Sequence, residues 1–147
     1  GSLQEPVIRR YTRQMLLGLE FLHNNGIAHR DIKGANVLVN EHGIAKLADF
    51  GCSKQLQGMR TDSLEESLKA IRGSVPWMAP ERLKDSYCDY TEACDVYSYG
   101  IVMFEVVLEE DPWPGCTFDQ IKDHVATEKR PPTHALDVMF KGLGARA

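Results

Sequence analysis

Residues 29–51 read HRDIKGANVLVNEHGIAKLADFG, from His29 to Gly51, and the fold turns on how this stretch is read. Val37-Leu38-Val39 and the run from Ile44 to Ala48 are aliphatic and β-branched, with Asn40-Glu41-His42-Gly43 between them. Two short apolar runs around four turn-forming residues predict a β-hairpin. With Val39 opposite Ile44, the start of the first strand lies beside the end of the second. Asn36 precedes the first strand and Asp49 follows the second, so their side-chain oxygens come to the same end of the hairpin. A carboxylate and an amide oxygen converging there suit a hard, oxygen-seeking cation such as Mg2+. Asp31 sits five residues before Asn36, in the loop that leads to this end, and Lys33 stands between them.

Working outward, Ile8, Tyr11, Met15, Leu19 and Leu22 recur at steps of three or four and predict a helix over 6–24. Pro6 suits its first turn, and Asn24-Asn25-Gly26 ends it, with Gly26 able to take a left-handed cap. Residues 52–75 are polar and mixed, a long loop closed by Pro76-Trp77-Met78-Ala79-Pro80. Loops of that length inside a compact domain usually carry function. Thr91 to Leu108 is apolar nearly all round, which predicts a helix through the centre of the domain. Pro112-Trp113-Pro114-Gly115 breaks the chain, and Thr117 with Gln120 forms a capping box that opens a third helix to about Thr127. Beyond Arg130-Pro131-Pro132 the pattern fades.

At 147 residues there is room for one domain with its own core. The net charge of −4 gives no basic footprint for nucleic acid or an anionic membrane, so neither is expected as a partner. Cys52, Cys88, Cys94 and Cys116 make no C-x-x-C pair and no zinc spacing, as expected of thiols in a reducing compartment. Val96 to Leu108 is too short to span a bilayer and contains Glu105, so the expected location is cytoplasmic.

Asp31, Lys33, Asn36 and Asp49 supply two acids, an ammonium and an amide. Phosphoryl transfer needs such a set: a base to orient a hydroxyl, a metal to hold phosphates and a cation for developing charge. His29-Arg30-Asp31-Ile32-Lys33-Gly34-Ala35-Asn36 resembles the catalytic loop of eukaryotic protein kinases, and Asp49-Phe50-Gly51 their metal-binding triplet. Ala79-Pro80-Glu81 matches the motif that closes the family's activation segment. Asp95-Val96-Tyr97-Ser98-Tyr99-Gly100 looks like the start of its central helix. The implied fold is mainly α: the helical subdomain of the kinase C-terminal lobe, with a short β-hairpin carrying the catalytic loop and the metal-binding triplet. Residues 1–132 would form a partial kinase domain and residues 133–147 a divergent or truncated tail.

The resemblance implies a role for each matching residue. Asp31 would accept or orient the proton of the substrate hydroxyl, and Lys33 would steady the γ-phosphate of ATP. Asn36 and Asp49 would ligate Mg2+ and, with Lys33, bind the nucleotide. His29 would pack and hydrogen-bond to hold the loop. Arg30 would receive a phosphate on the activation loop rather than make a surface ion pair. Thr61, Ser63 and Ser67 are the candidate phosphosites, Ser67 first because Lys69 and Arg72 are close by. Ser74 is expected to reach toward Asp31 or Lys33. Asp95 is an acid in an apolar helix and needs partners, which the resemblance implies are backbone N–H groups of the catalytic loop. Glu81 would be structural, yet the Arg that usually pairs with it is not identifiable, Arg146 standing in the wrong context. Cys52 is either an inert small side chain or a thiol whose anion Lys54 and bound Mg2+ would favour.

Lys33, Asp31 to Asn36, Tyr11-Thr12-Arg13-Gln14 through Leu22-His23 and Trp77 to Glu81 are similar to Ser/Thr kinases of the MAP kinase kinase kinase, STE-like, type. Gly73-Ser74-Val75-Pro76-Trp77 departs from the usual Gly-Thr-Pro-Tyr-Trp, and Asp95 to Val102 leans toward the tyrosine-kinase-like group. The implied activity is transfer of the ATP γ-phosphate to a protein hydroxyl in a MAP-kinase-type cascade, with a MAP kinase kinase as substrate. The glycine-rich loop, the Val-Ala-x-Lys strand and the helix bearing its Glu partner are not in these 147 residues, so the chain alone is expected to be inactive. A pseudokinase-like or C-lobe-only binding module is the alternative. A small-molecule phosphotransferase is a third reading, disfavoured by the Ala79-Pro80-Glu81 closure.

Overall fold

The apolar stripe near the N-terminus winds as α1, Glu5–Asn24, with Pro6 in its first turn. Met15, Leu19 and Leu22 are buried as the periodicity requires, and Thr12 joins them by returning its hydroxyl to Ile8 O at 2.8 Å. Asn25 follows as the C-cap and Gly26 turns the chain at φ 69, a left-handed conformation that costs glycine little. The computed structural model describes residues 3–56, 74–84 and 89–131. Thr61, Ser63, Ser67 and the tail over 133–147 therefore lie outside the described residues.

Two small antiparallel pairs follow α1. β1 (Ile27–Ala28) pairs with β4 (Lys54–Gln55), and β2 (Val37–Val39) pairs with β3 (Ala45–Leu47). The hairpin is the one expected, but its register differs by one: Val39 lies opposite Ala45, and Ile44 belongs to the turn. Asn40 explains the shift, because its side-chain oxygen accepts from both His42 N (3.1 Å) and Ile44 N (2.9 Å). Such an Asx-type turn holds one more residue than a plain four-residue loop. The β1–β4 pair is too short to leave a pattern in the sequence.

After a 3-10 turn over Val75–Trp77 come α2 (Pro80–Lys84), α3 (Glu92–Leu108) and α4 (Phe118–Ala126). The capping box of α4 forms as expected, with Thr117 N donating to Gln120 Oε1 at 2.8 Å. Among the described residues α3 is central but not covered all round. Val96 is 54% exposed, and a Cβ at Gly100 would meet nothing within 4 Å. The architecture is mostly helical, with small sheets.

Two apolar clusters hold these parts. Met15, Leu19, Ile32, Tyr99 and Val102 join α1, the 29–36 loop and α3. Val75, Leu83, Trp113, Ile121 and Val125 join the 3-10 turn, α2 and α4. Each fully buried aliphatic side chain contributes about 1.5–3 kcal/mol relative to exposure. Ile32 ties the first cluster to the chain between Asp31 and Lys33, and Val75 ties the second to the residue after Ser74.

Candidate active site

Asp95 anchors the 29–31 stretch to α3. Its carboxylate is fully buried and accepts His29 N (2.8 Å), Arg30 N (2.9 Å), His23 Nε2 (2.9 Å) and Tyr90 Oη (2.7 Å). A buried carboxylate survives in an apolar helix only with such a set of donors. The two backbone bonds hold Arg30 in the left-handed region at φ 72, which turns the chain sharply into Asp31. His29 is also fully buried. Its Nε2 pairs with Ala48 O at 3.0 Å, fastening the loop to the residue before Asp49.

Asp31 is the hub of the site. Its Oδ1 accepts from Ser74 Oγ at 2.5 Å, while its Oδ2 lies 2.8 Å from Lys33 Nζ and accepts Asn36 Nδ2 at 2.8 Å. Lys33 Nζ also donates to Ser74 Oγ at 3.2 Å. Burial by itself would raise the Asp31 pKa, but the bonds from Lys33, Ser74 and Asn36 outweigh it and hold the carboxyl below its ordinary value. A carboxylate so stabilised is a weak proton trap and a good orienting acceptor.

The amide N–H2 group of Asn36 is committed to Asp31, to the backbone O at 2.8 Å as well as to Oδ2. Its Oδ1 has no donor among the described residues and is left as an acceptor for a cation. Asn36 O takes Ala48 N at 2.9 Å, so Asp49 follows the very residue paired with Asn36. Asp49 is exposed and left-handed (φ 60), and its Oδ1 accepts Gly51 N at 3.3 Å. No group of three or more His, Cys, Asp or Glu placed to hold a metal ion is found among the described residues. One amide oxygen and one carboxylate instead fit Mg2+, which retains waters and substrate phosphates rather than taking an all-protein cage.

Glu81 accepts from Cys94 Sγ at 3.4 Å. At Cys52 burial first, then the Asp31 and Asp49 carboxylates, push the thiol pKa up, against Arg30 and Lys33. Arg30 stacks 5.6 Å from the centroid of the Tyr90 ring.

Several contributors gave no usable signal in the sequence. His23 and Tyr90 reach Asp95 from 72 and five residues away. Trp77 Nε1 donates to Glu105 Oε2 at 2.6 Å, and Ser98 Oγ donates to Trp77 O at 2.7 Å, tying the Ser74 segment to α3. Glu105 was legible only as a charge interrupting an apolar run. Lys54 lies opposite Ala28 in the β1–β4 pair.

A family model for the protein kinase domain matches residues 1–140. The chain is 46% identical over 113 residues to a mitogen-activated protein kinase kinase kinase 3 of Arabidopsis thaliana, covering 77% of this chain and 17% of the relative. It is 42% identical over 137 residues to Arabidopsis mitogen-activated protein kinase kinase kinase 2, covering 90% and 20%. Against mitogen-activated protein kinase kinase kinase A of Dictyostelium discoideum the identity is 41% over 133 residues, covering 90% and 13%. The chain thus spans 13% to 20% of the length of these relatives.

Proposed function

The chain belongs to the protein kinase domain family, and from that premise we propose that it is the C-lobe portion of a longer Ser/Thr kinase acting in a MAP kinase cascade. Its parent transfers the γ-phosphate of ATP to a hydroxyl of a protein substrate, a MAP kinase kinase by analogy with the names of its relatives. Residues 1–132 carry the lobe. The observation that bears most weight is the convergence of Lys33, Asn36 and Ser74 on the Asp31 carboxylate within 2.5–3.2 Å, at the hairpin end from which Asp49 emerges.

Asp31 orients the acceptor hydroxyl toward the phosphate and takes its proton late, as its lowered pKa favours. Lys33 offsets charge on the transferring group. Asn36 Oδ1 and the Asp49 carboxylate would hold Mg2+, which would supply positive charge to offset that of the ATP phosphates. Arg30 receives a phosphate on the loop that contains Thr61, Ser63 and Ser67, ordering it next to Asp31. No described helix is long and apolar enough to cross a membrane.

The test is phosphorylation of a MAP kinase kinase by the full-length parent with Mg2+ and ATP. Asp31→Asn should lower kcat by roughly 10²–10⁴ with little change in ATP affinity. Asp49→Asn should weaken Mg2+-dependent nucleotide binding as well. Wild-type turnover in both variants would overturn the assignment. Alanine at Thr61, Ser63 and Ser67 together should abolish activation, and full activity would remove the switch.

A further inference from the structure

Tyr90 belongs to none of the kinase-like motifs, yet it bears on Arg30 twice, through its ring and, by way of Asp95, through its hydroxyl. Arg30 has φ 72, a conformation that a side chain with a Cβ disfavours. Its N–H donates to Asp95 Oδ1 at 2.9 Å, and the Tyr90 hydroxyl donates to that same oxygen at 2.7 Å. The Arg30 guanidinium carbon lies 5.6 Å from the Tyr90 ring centroid, within cation–π range. Arg82, which is buried, lies 5.7 Å from the same centroid and steadies the ring from α2. Burial and then the Asp95 charge push the phenol pKa up, so Tyr90 remains a donor across the working range of pH.

We infer that Tyr90 is a positioning residue of the phosphoryl-transfer site, clamping the backbone and the side chain of Arg30 and thereby setting the direction of Asp31. The inference rests on the kinase reading above. Asp31 follows Arg30 directly, so relaxation of φ at residue 30 swings the carboxylate away from Ser74 and Lys33. Tyr90→Phe keeps the ring and deletes the grip on Asp95 Oδ1.

Two measurements in the parent kinase test the clamp. Tyr90→Phe should lower kcat roughly tenfold, the loss expected for one hydrogen bond to a charged group, with KM for ATP unchanged. In an Asp31→Asn background, where the carboxylate that the clamp aims is gone, adding Tyr90→Phe should cost nothing further. A Tyr90→Phe parent with wild-type kcat, or one that loses the same factor again in the Asp31→Asn background, overturns the clamp, since Tyr90 would then be idle or acting on the fold at large. If Tyr90→Phe unfolds the parent, Arg30→Gly should restore folding, because φ near 72° then carries no penalty, and failure to do so also overturns it. An Asp31→Asn parent with wild-type turnover would instead sink the kinase reading itself.

Discussion

Ser74 donates its hydroxyl to Asp31 Oδ1 at 2.5 Å across 43 residues of chain. The bond reads the position of the 75–77 turn directly at the carboxylate proposed to orient the acceptor hydroxyl. Ser74 is buried and also accepts from Lys33, so its loss leaves both partners short. Ser74→Ala should lower kcat of the parent kinase roughly tenfold, as for one hydrogen bond to a charged group, and Ser74→Thr should retain most of the activity. Steady-state kinetics of the two variants checks this, and an alanine variant as fast as wild type would detach Ser74 from the chemistry.

Asp31 also predicts an acid limit to stability. Its carboxyl is held below the ordinary 3.8, so the folded state binds that proton less readily than the unfolded chain. The stabilisation is fully present above 3.8 and is lost as pH falls through the lowered value in the folded state. Asp31→Asn should therefore be less stable than wild type near neutrality, with the gap closing in acid. Denaturant unfolding of both chains at pH 6 and near pH 3 reads the difference, and a gap independent of pH would contradict the assignment.

Cys52 should alkylate slowly. Burial and the neighbouring Asp31 and Asp49 carboxylates raise its pKa, so little thiolate is present near neutral pH. Removing one carboxylate with Asp49→Asn should quicken its reaction with iodoacetamide relative to that of Cys116, followed by peptide mass spectrometry. An unchanged ratio would mean that burial alone governs the thiol.

The local parts of this fold were legible in the sequence because each carries its own signal. α1 shows a 3.6-residue stripe, α4 opens on a capping box, and the hairpin is two apolar runs around a turn. That Asp31, Lys33 and Asn36 come together was legible from residue type and spacing. What escaped depends on contacts between distant segments. Nothing near His23 announces Asp95, and nothing near Trp77 announces Glu105. The one-residue shift of the hairpin came from the side chain of Asn40, which apolar pattern alone does not encode. Val96 looked interior because α3 reads as apolar on every side, yet among the described residues its face is open.

Glu105 yields the last prediction because it holds two segments of the site at once. Trp77 Nε1 donates to its Oε2 at 2.6 Å, Gly34 N–H bonds the same carboxylate, and a Cβ at Gly34 would come within 3.3 Å of Oε2. Burial raises the Glu105 pKa more than the Trp77 and Gly34 bonds lower it, with Asp111 adding to the rise. The folded state therefore binds this proton more readily than the unfolded chain, and the carboxylate form is the costly one. Wild-type stability relative to Glu105→Gln should fall as pH rises from 4.5 through the raised value, then level off. Glu105→Leu should be worse than Glu105→Gln at every pH, because it strands two N–H donors at a cost of about 1–3 kcal/mol each when buried. Urea unfolding of the three chains between pH 4 and pH 8 tests both statements. A wild-type to Gln difference that does not vary with pH would show that the carboxylate costs nothing to bury, and a Leu variant equal to Gln would show that Trp77 and Gly34 find other acceptors.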